Sequence, residues 1–466
     1  MEINSRLSTM VSIGLGYLSL QRPASTLSGG ETQRIHLTRL LGSNLTGSMY
    51  LLDEPSVGLH PRDTANLISA LKKLRNLGNT VILVEHEEEV IKHADFLVDM
   101  GPEAGIMGGE VIFTGNYTDI ETSPVNNSLT IDYLLGRKKI EVPSQRRVSR
   151  SFLKMEKVNL HNLKDVDVTI PLNCIVCVTG VSGSGKSSLI KGVLYPTLEN
   201  AIQNDLTEAS TNFIQRLSGD IKRINKVEMI DQQPIGKSSR SNPVTYVKAY
   251  DYIRDLFTSQ PMSKLRGFKP KHFSFNVEGG RCETCKGEGV TVVDMQFLAD
   301  VTLVCEECKG MRFKNEVLDV KYKDKNIFDV LEMDIMEAVT FFEGNNEIIN
   351  RIMPLYEIGL GYVRLGQSSS SLSGGEAQRV KLASFLTKEN KVAHTLFIFD
   401  EPTTGLHFED VRKLLIAFNK LIEKGNSIII VEHNMEVIKS SDYLIDIGPE
   451  GGAEGGEILY QGVPEG

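Results

Sequence analysis

The stretch Gly180-Val181-Ser182-Gly183-Ser184-Gly185-Lys186-Ser187 fits the pattern G-x-x-x-x-G-K-[ST]. That spacing serves phosphate binding. The glycines let successive backbone N–H groups turn into one concavity at a helix N-terminus. The lysine can reach β- and γ-phosphates, and the serine hydroxyl can bind Mg²⁺. Cys282-Glu-Thr-Cys285 and Cys305-Glu-Glu-Cys308 are separated by 19 residues. Four thiolates so spaced suit tetrahedral Zn²⁺ with no open position, a structural and not a catalytic metal. Cys174 and Cys177 also form C-x-x-C, but on a predicted strand positions i and i+3 face opposite sides. These two are therefore expected in the core.

Two further groups of residues recur in the same order. Gly14-Leu-Gly-Tyr17 returns as Gly359-Leu-Gly-Tyr362 and Leu27-Ser-Gly-Gly-Glu31 as Leu372-Ser-Gly-Gly-Glu376, both 345 residues later. Asp53-Glu-Pro55 returns as Asp400-Glu-Pro402, Val84-Glu-His86 as Val431-Glu-His433, and Gly101-Pro-Glu103 as Gly448-Pro-Glu450, all 347 residues later. The chain carries two copies of one module. The phosphate loop belongs to the second copy alone. Its counterpart would fall before Met1, so the first module is expected either to follow a late start or to be a natural remnant.

In phosphoryl transfer a strand-end Asp holds Mg²⁺ and a neighbouring base orients the attacking water. Asp400 is assigned to Mg²⁺ and Glu401 to the water. His433, ending the next strand, is placed to contact the γ-phosphate. Gln232, in Asp231-Gln-Gln-Pro-Ile-Gly236, is expected to sense the γ-phosphate and Mg²⁺.

These residues need a scaffold. Cys174 to Thr179 is a short apolar run before the glycine loop, hence a buried strand, and Ile190, Val193 and Leu194 have helical spacing after it. Met49 to Leu52, Val81 to Val84, Leu396 to Phe399 and Ile428 to Val431 read as buried strands, and a helix is expected after each Ser-Gly-Gly. Strands alternating with helices predict an α/β fold with a largely parallel sheet. The expected division is 1–120 for the later part of the first module, 121–151 for a polar and basic linker, 152–262 for the phosphate-loop part of the second, 263–315 for a zinc module, and 316–466 for the remainder.

The 466 residues contain 41% hydrophobic and 24% charged residues, which excludes a wholly disordered chain or a disulfide scaffold. Lys plus Arg number 51 against 60 Asp plus Glu, a net charge of −9, so no global basic field advertises nucleic acid. Any DNA contact must be local. Lys237, Arg240, Lys264, Arg266, Lys269, Lys271, His272 and Arg281 cluster around the zinc module amid Phe268, Phe273 and Phe275. Lys237, Arg240, Lys269 and Lys271 are the candidate phosphate contacts. No apolar run approaches the ~18 residues that span a bilayer, six cysteines are too few for a disulfide framework, and a cytoplasmic location is expected.

The Leu-Ser-Gly-Gly-Glu pentapeptides beside a phosphate loop resemble the ATP-binding cassette family. The resemblance implies that modules pair head-to-tail and that the signature of one module caps the γ-phosphate held by the other. One composite site would then combine residues 180–187, Gln232, Asp400, Glu401 and His433 with Ser28, Gly29 and Gly30. The second would hold Asp53, Glu54, His86, Ser373, Gly374 and Gly375 without a phosphate loop, which implies one ATP per chain unless an upstream segment or a partner chain supplies that loop. The four-cysteine insertion between loop and signature is similar to the UvrA family, as are Asp231-Gln-Gln-Pro-Ile-Gly236, Ser241-Asn-Pro243, Phe275-Asn-Val-Glu-Gly-Gly-Arg-Cys282, Leu365-Gly-Gln367 and Gly-Leu-His at 58–60 and 405–407. Generic cassettes usually carry Asp where His60 and His407 stand. The resemblance covers essentially the whole chain, as the later part of a UvrA. It implies ATP, Mg²⁺ and Zn²⁺ as cofactors, damaged duplex DNA as ligand, a UvrB-type helicase subunit as partner, a homodimer, and ATP hydrolysis in nucleotide excision repair without an intrinsic nuclease. The docking region for the UvrB-type partner precedes this stretch in the family. Two alternatives stay open: a cassette that binds ATP without productive turnover, and a cassette ATPase serving an export or translation partner.

Overall fold

The computed structural model describes residues 2–24, 27, 29–41, 45–121, 127–236, 240–293, 301–387 and 394–465. The chain divides into two units. One comprises Met1–Glu103, Met107–Asp231 and Asn390–Gly466; the other comprises Ala104–Ile106 and Gln232–Glu389.

The first unit is organised by a six-stranded sheet in the order Lys226–Ile230, Thr395–Asp400, Ser427–Val431, Ile175–Thr179, Tyr443–Gly448, Glu457–Gly462. The first five run parallel and the last is antiparallel. Strands covered on both faces need apolar side chains at every position. Accordingly Ile175 to Val178, Leu396 to Phe399 and Ile428 to Val431 are all at most 1% exposed. The phosphate loop leaves the central strand Ile175–Thr179 and opens into the helical stretch Ser188–Leu194, whose Ile190, Val193 and Leu194 are buried as their spacing predicts. A four-stranded antiparallel sheet (Val166–Pro171, Phe152–Val158, Ile214–Gly219, Ala209–Thr211) shares this core. Cys174 and Cys177 are buried in it.

The first module's strands correct the expectation that they are buried. Met49–Asp53 pairs parallel with Thr80–Val84, and Leu97–Gly101 pairs with Glu110–Gly115. Met49, Leu51, Val84, Val98 and Met100 are 55–72% exposed. The repeat explains why. In the second module Ile175–Thr179 lies between Ser427–Val431 and Tyr443–Gly448 and joins all the strands into one sheet. Among the described residues no such strand joins Thr80–Val84 to Leu97–Gly101, so alternate apolar side chains stay open.

The segment between the modules is docked. Ser128 caps the helix Leu129–Leu134. Tyr133 stacks on Phe408 at 5.4 Å between centroids and donates to Glu409. Arg146 donates to the Ser441 carbonyl, and Arg147 pairs with buried Asp442 at 3.0 Å.

The second unit is mainly helical, with Phe257, Phe273, Phe275, Phe313 and Phe342 fully buried. It carries the antiparallel hairpin Val290–Val293 and Val301–Val304 and the helix Gly374–Thr387. Among the described residues no helix is long and apolar enough to cross a membrane.

Candidate functional site

The phosphate loop is held in a conformation that only glycine allows at its first position. Gly180 has φ +134°, and a Cβ there would stand 2.0 Å from the Ile447 carbonyl oxygen. Lys186, nearly buried, donates to the carbonyls of Gly180 at 2.8 Å and Val181 at 2.9 Å. Burial lowers its ammonium to about 8, against the opposing pull of Glu401 and Asp400. Among the described residues the buried Ser184 hydroxyl has no hydrogen-bond partner. A ready cation, an orphaned hydroxyl and a glycine-shaped concavity fit a phosphate chain.

Asp400 ends its strand paired with Lys191 of the helix that follows the loop. Glu401 next to it adopts a left-handed φ of +45°. Burial, with Asp400 and Glu432 adding like charge, pushes its carboxyl up to about 7. His433 Nε2 lies 3.8 Å from Glu401 Oε1. Its ring is buried, which holds its pKa well below the ordinary value and keeps it neutral. Sequence reasoning missed the residue that ties these segments together. Glu432 accepts from Thr403 N–H at 2.8 Å and from His433 N–H at 2.7 Å. Glu85 does the same in the first module, accepting from Ser56 N–H at 2.9 Å and His86 N–H at 3.1 Å. The signal was present, since both glutamates stand inside the repeated Val-Glu-His.

The first repeat lies across this site. Tyr17 packs on the loop: a Cβ on Gly183 would stand 2.6 Å from its ring, and Gly451 and Gly452 border the same residue. The Tyr17 hydroxyl donates at 2.6 Å to Glu31, in the helix Gly29–Leu41 that Gly29 and Gly30 open. Ser28 lies outside the described residues. Glu401 Oε2 is 3.5 Å from where a Cβ on Gly58 would sit, and the His60 ring meets that of His433 edge-on at 6.1 Å. The relation is reciprocal. Glu54, also left-handed at φ +44°, crowds Gly405; His86 stands 3.6 Å from Glu54; and His407 meets His86 edge-on at 6.3 Å. Burial also raises the Glu54 carboxyl. A cleft of about 310 Å³ runs between the two sets, lined by Glu54, Gly58, His86, Glu401, Gly405 and His433. Asp53 ends the strand Met49–Asp53.

In the second unit, Ser373 N–H donates to Glu376 at 2.8 Å while Glu376 N–H donates to Ser373 Oγ at 3.2 Å. This reciprocal capping box opens the helix that contains Gly374 and Gly375. Tyr362 donates to Glu376 at 2.7 Å, repeating the Tyr17–Glu31 bond. Gln232 lies against Gly374, with its Oε1 3.2 Å from an ideal Cβ there.

The four candidate zinc ligands converge. Their sulfurs all lie within 4.8 Å of one another, with Cys282 and Cys305 at 3.9 Å and Cys285 and Cys308 at 3.6 Å. A tetrahedron of Zn–S bonds near 2.3 Å has edges of about 3.8 Å. The donor set fits Zn²⁺.

The basic cluster divides on inspection. Arg240 pairs with Glu288 at 3.4 Å, Arg266 with Asp319 at 2.9 Å, and Arg281 with Glu283 at 3.4 Å. Lys264, Lys269 and Lys271 are exposed, and among the described residues no ion pair reaches them. Lys237 lies outside the described residues. Phe273 and Phe275, which lie amid these basic residues in sequence, are at most 1% exposed and belong to the core.

Known proteins were compared with this chain. No family model matches it. The UvrABC system protein A of Aquifex aeolicus is 51% identical over 465 residues, covering 100% of this chain and 50% of that protein. The protein of the same name from Clostridium tetani is 52% identical over 466 residues, 100% and 49% of the two chains. The chain spans about half the length of the curated relatives it matches. Among solved structures, UvrA2 from Deinococcus radiodurans superposes with a TM-score of 0.90 at 44% identity, covering 99% of this chain and 55% of that one. An archaeal ribosome recycling factor, aABCE1, solved with the ribosomal stalk protein aP1, matches with a TM-score of 0.52 at 18% identity over 98% and 68% of the chains, a likeness of fold alone.

Proposed function

The chain belongs to the UvrA family of ATP-binding cassette proteins, and from that premise we propose that it binds and hydrolyses ATP with Mg²⁺ as a DNA-binding subunit that recognises damaged duplex in nucleotide excision repair. The observation that supports this best is the convergence of loop 180–187, Asp400, Glu401 and His433 with Tyr17, Gly58 and His60 of the other repeat.

Magnesium, when bound with ATP, supplies positive charge to the transferring phosphoryl group. The chain's own residues do the rest. Loop amides and Lys186 hold the phosphates, and Ser187 and Asp400 are the candidates for holding the metal. Glu401 is suited to take a proton from water on a carboxylate oxygen, because burial raises its pKa to about 7. Neutral His433 beside it can orient the terminal phosphate or the water. Glu432 holds both segments in register. Gln232, Gly374 and Ser373 belong with nucleotide sensing at the signature.

Zn²⁺ on Cys282, Cys285, Cys305 and Cys308 would fix the hairpin, and exposed Lys269 and Lys271 precede the first cysteine pair in sequence. These lysines are the candidates for duplex phosphates, with a UvrB-type subunit and a second copy of the chain as further partners. ATP turnover stimulated by lesion-bearing duplex tests the reading. ATP bound with no turnover on any duplex would instead establish the binding-only alternative, and stimulation by ribosomes or membranes alone would reject the repair role.

A further inference from the structure

His60 was singled out by its sequence, and the catalytic assignments above leave it without a role. We propose that His60 contacts the nucleotide directly, donating an N–H from the first repeat to the terminal phosphate of ATP held by the second repeat's loop. The inference rests on the proposed ATP site and deepens it.

Three observations carry it. First, His60 caps the helix Pro61–Asn76: its Nδ1 accepts from Arg62 N–H at 3.3 Å. An imidazole whose Nδ1 accepts carries its proton on Nε2 when neutral, and burial favours the neutral ring here. The Nε2–H edge therefore points away from the helix. Second, the ring meets His433 edge-on at 6.1 Å, and its loop reaches Glu401 through Gly58. It stands where the terminal phosphate must lie if Glu401 and His433 serve that phosphate.

Third, the repeat provides an internal control. His407 caps its own helix in the same way, with Nδ1 accepting from Glu409 N–H at 3.3 Å. Its Nε2, however, is bonded to Thr130 Oγ1 at 3.2 Å, and Thr130 passes its own proton to Asp99 at 3.0 Å. That donor is committed to protein. Among the described residues no protein acceptor meets Nε2 of His60, whose ring lies beside His433 and the phosphate loop's Lys186. Two histidines at equivalent repeat positions thus differ in what their outer nitrogen finds. A polar donor facing phosphate-binding groups is explained by an acceptor that the ligand brings.

The test compares Mg·ATP and Mg·ADP affinities by calorimetry on the full chain. Its variants are His60→Ala, His60→Asn and His407→Ala. Asn retains an N-cap acceptor but is too short to reach, so it separates reach from folding. Loss of one hydrogen bond to a charged group predicts a drop of about tenfold or more in ATP affinity, with ADP affinity unchanged, in both His60 variants. His407→Ala should leave the ATP-to-ADP ratio as in the parent. An unchanged ratio in His60→Asn, or an equal change in His407→Ala, overturns the proposal while leaving the ATP site standing. A parent chain that binds neither nucleotide overturns the ATP reading itself.

Discussion

Stripping the metal from the four-cysteine cluster should open the hairpin and nothing else. Among the described residues the buried cluster at this point consists of the four cysteines. The described side chains of the hairpin strands add no core of their own, since Val292, Val301, Leu303 and Val304 are 43–63% exposed. An isolated two-stranded hairpin is marginal at best in water, and each of its hydrogen bonds contributes only about 0.5–1.5 kcal/mol net. A structural Zn²⁺ contributes about 10–16 kcal/mol of apparent binding free energy at neutral pH. The metal term therefore exceeds what the segment's bonds can supply, and the segment cannot stay closed without it.

At the base of the module, Cys282 N–H bonds to the Arg312 carbonyl and Lys314 N–H to the Gly280 carbonyl, which sets the limits of the opened region. We expect one Zn²⁺ per chain. On chelation, amide exchange across the hairpin should approach the unfolded-chain rate between Cys282 and Met311, while Ile175–Thr179 keeps its protection. Cys305→Ala should reproduce the chelated pattern. If the hairpin stayed equally protected after quantitative removal of zinc, the argument that metal replaces a core would be wrong.

The same cysteines provide a second check. After chelation four thiols should react promptly with a disulfide reagent at pH 8 and two should not, because burial pushes Cys174 up to about 12 and Cys177 well above its ordinary value; six fast thiols would contradict the core placement. Gly180→Ala, which sets a methyl 2.0 Å from the Ile447 carbonyl, should cost about 3–5 kcal/mol and abolish nucleotide binding, as thermal melts and calorimetry will show. Glu401→Gln should retain ATP but lose turnover by ~10²–10⁴-fold, and near-parental turnover would move the base elsewhere. Replacing Lys269 and Lys271 together by Glu should weaken duplex binding at low salt and flatten the salt dependence by about two phosphate contacts; an unchanged titration would clear this patch of contact with DNA.

Much of this was legible without coordinates. The phosphate loop, the paired cysteines and the strand-end Asp-Glu are chemistry written in residues adjacent along the chain, and backbone sterics and covalent spacing fix what such runs can do. The double repeat was equally plain, and the apolar runs at 175–178, 396–399 and 428–431 are the fully buried strands they looked like. Side-chain partners that come from distant segments were not legible. Phe273 and Phe275 sit among lysines in sequence yet lie in the core. Arg240 and Arg266 look like free cations but are met by Glu288 and Asp319.

The two modules show the division best. Their matching words predicted matching structure, and the backbone obliged, down to the left-handed Glu54 and Glu401. What surrounds each copy decided the rest. Met49 and Leu51 are exposed where Leu396 and Ile398 are buried, because burial depends on which strands and helices lie alongside. His60 and His407 occupy the same repeat position, yet Thr130 occupies the outer nitrogen of His407 alone. Sequence determined which groups were present and how each local turn would hold them. Only the folded chain could decide what each met across space, because exposure, desolvation and hydrogen-bond partnership are properties of neighbours that the chain brings together from hundreds of residues away.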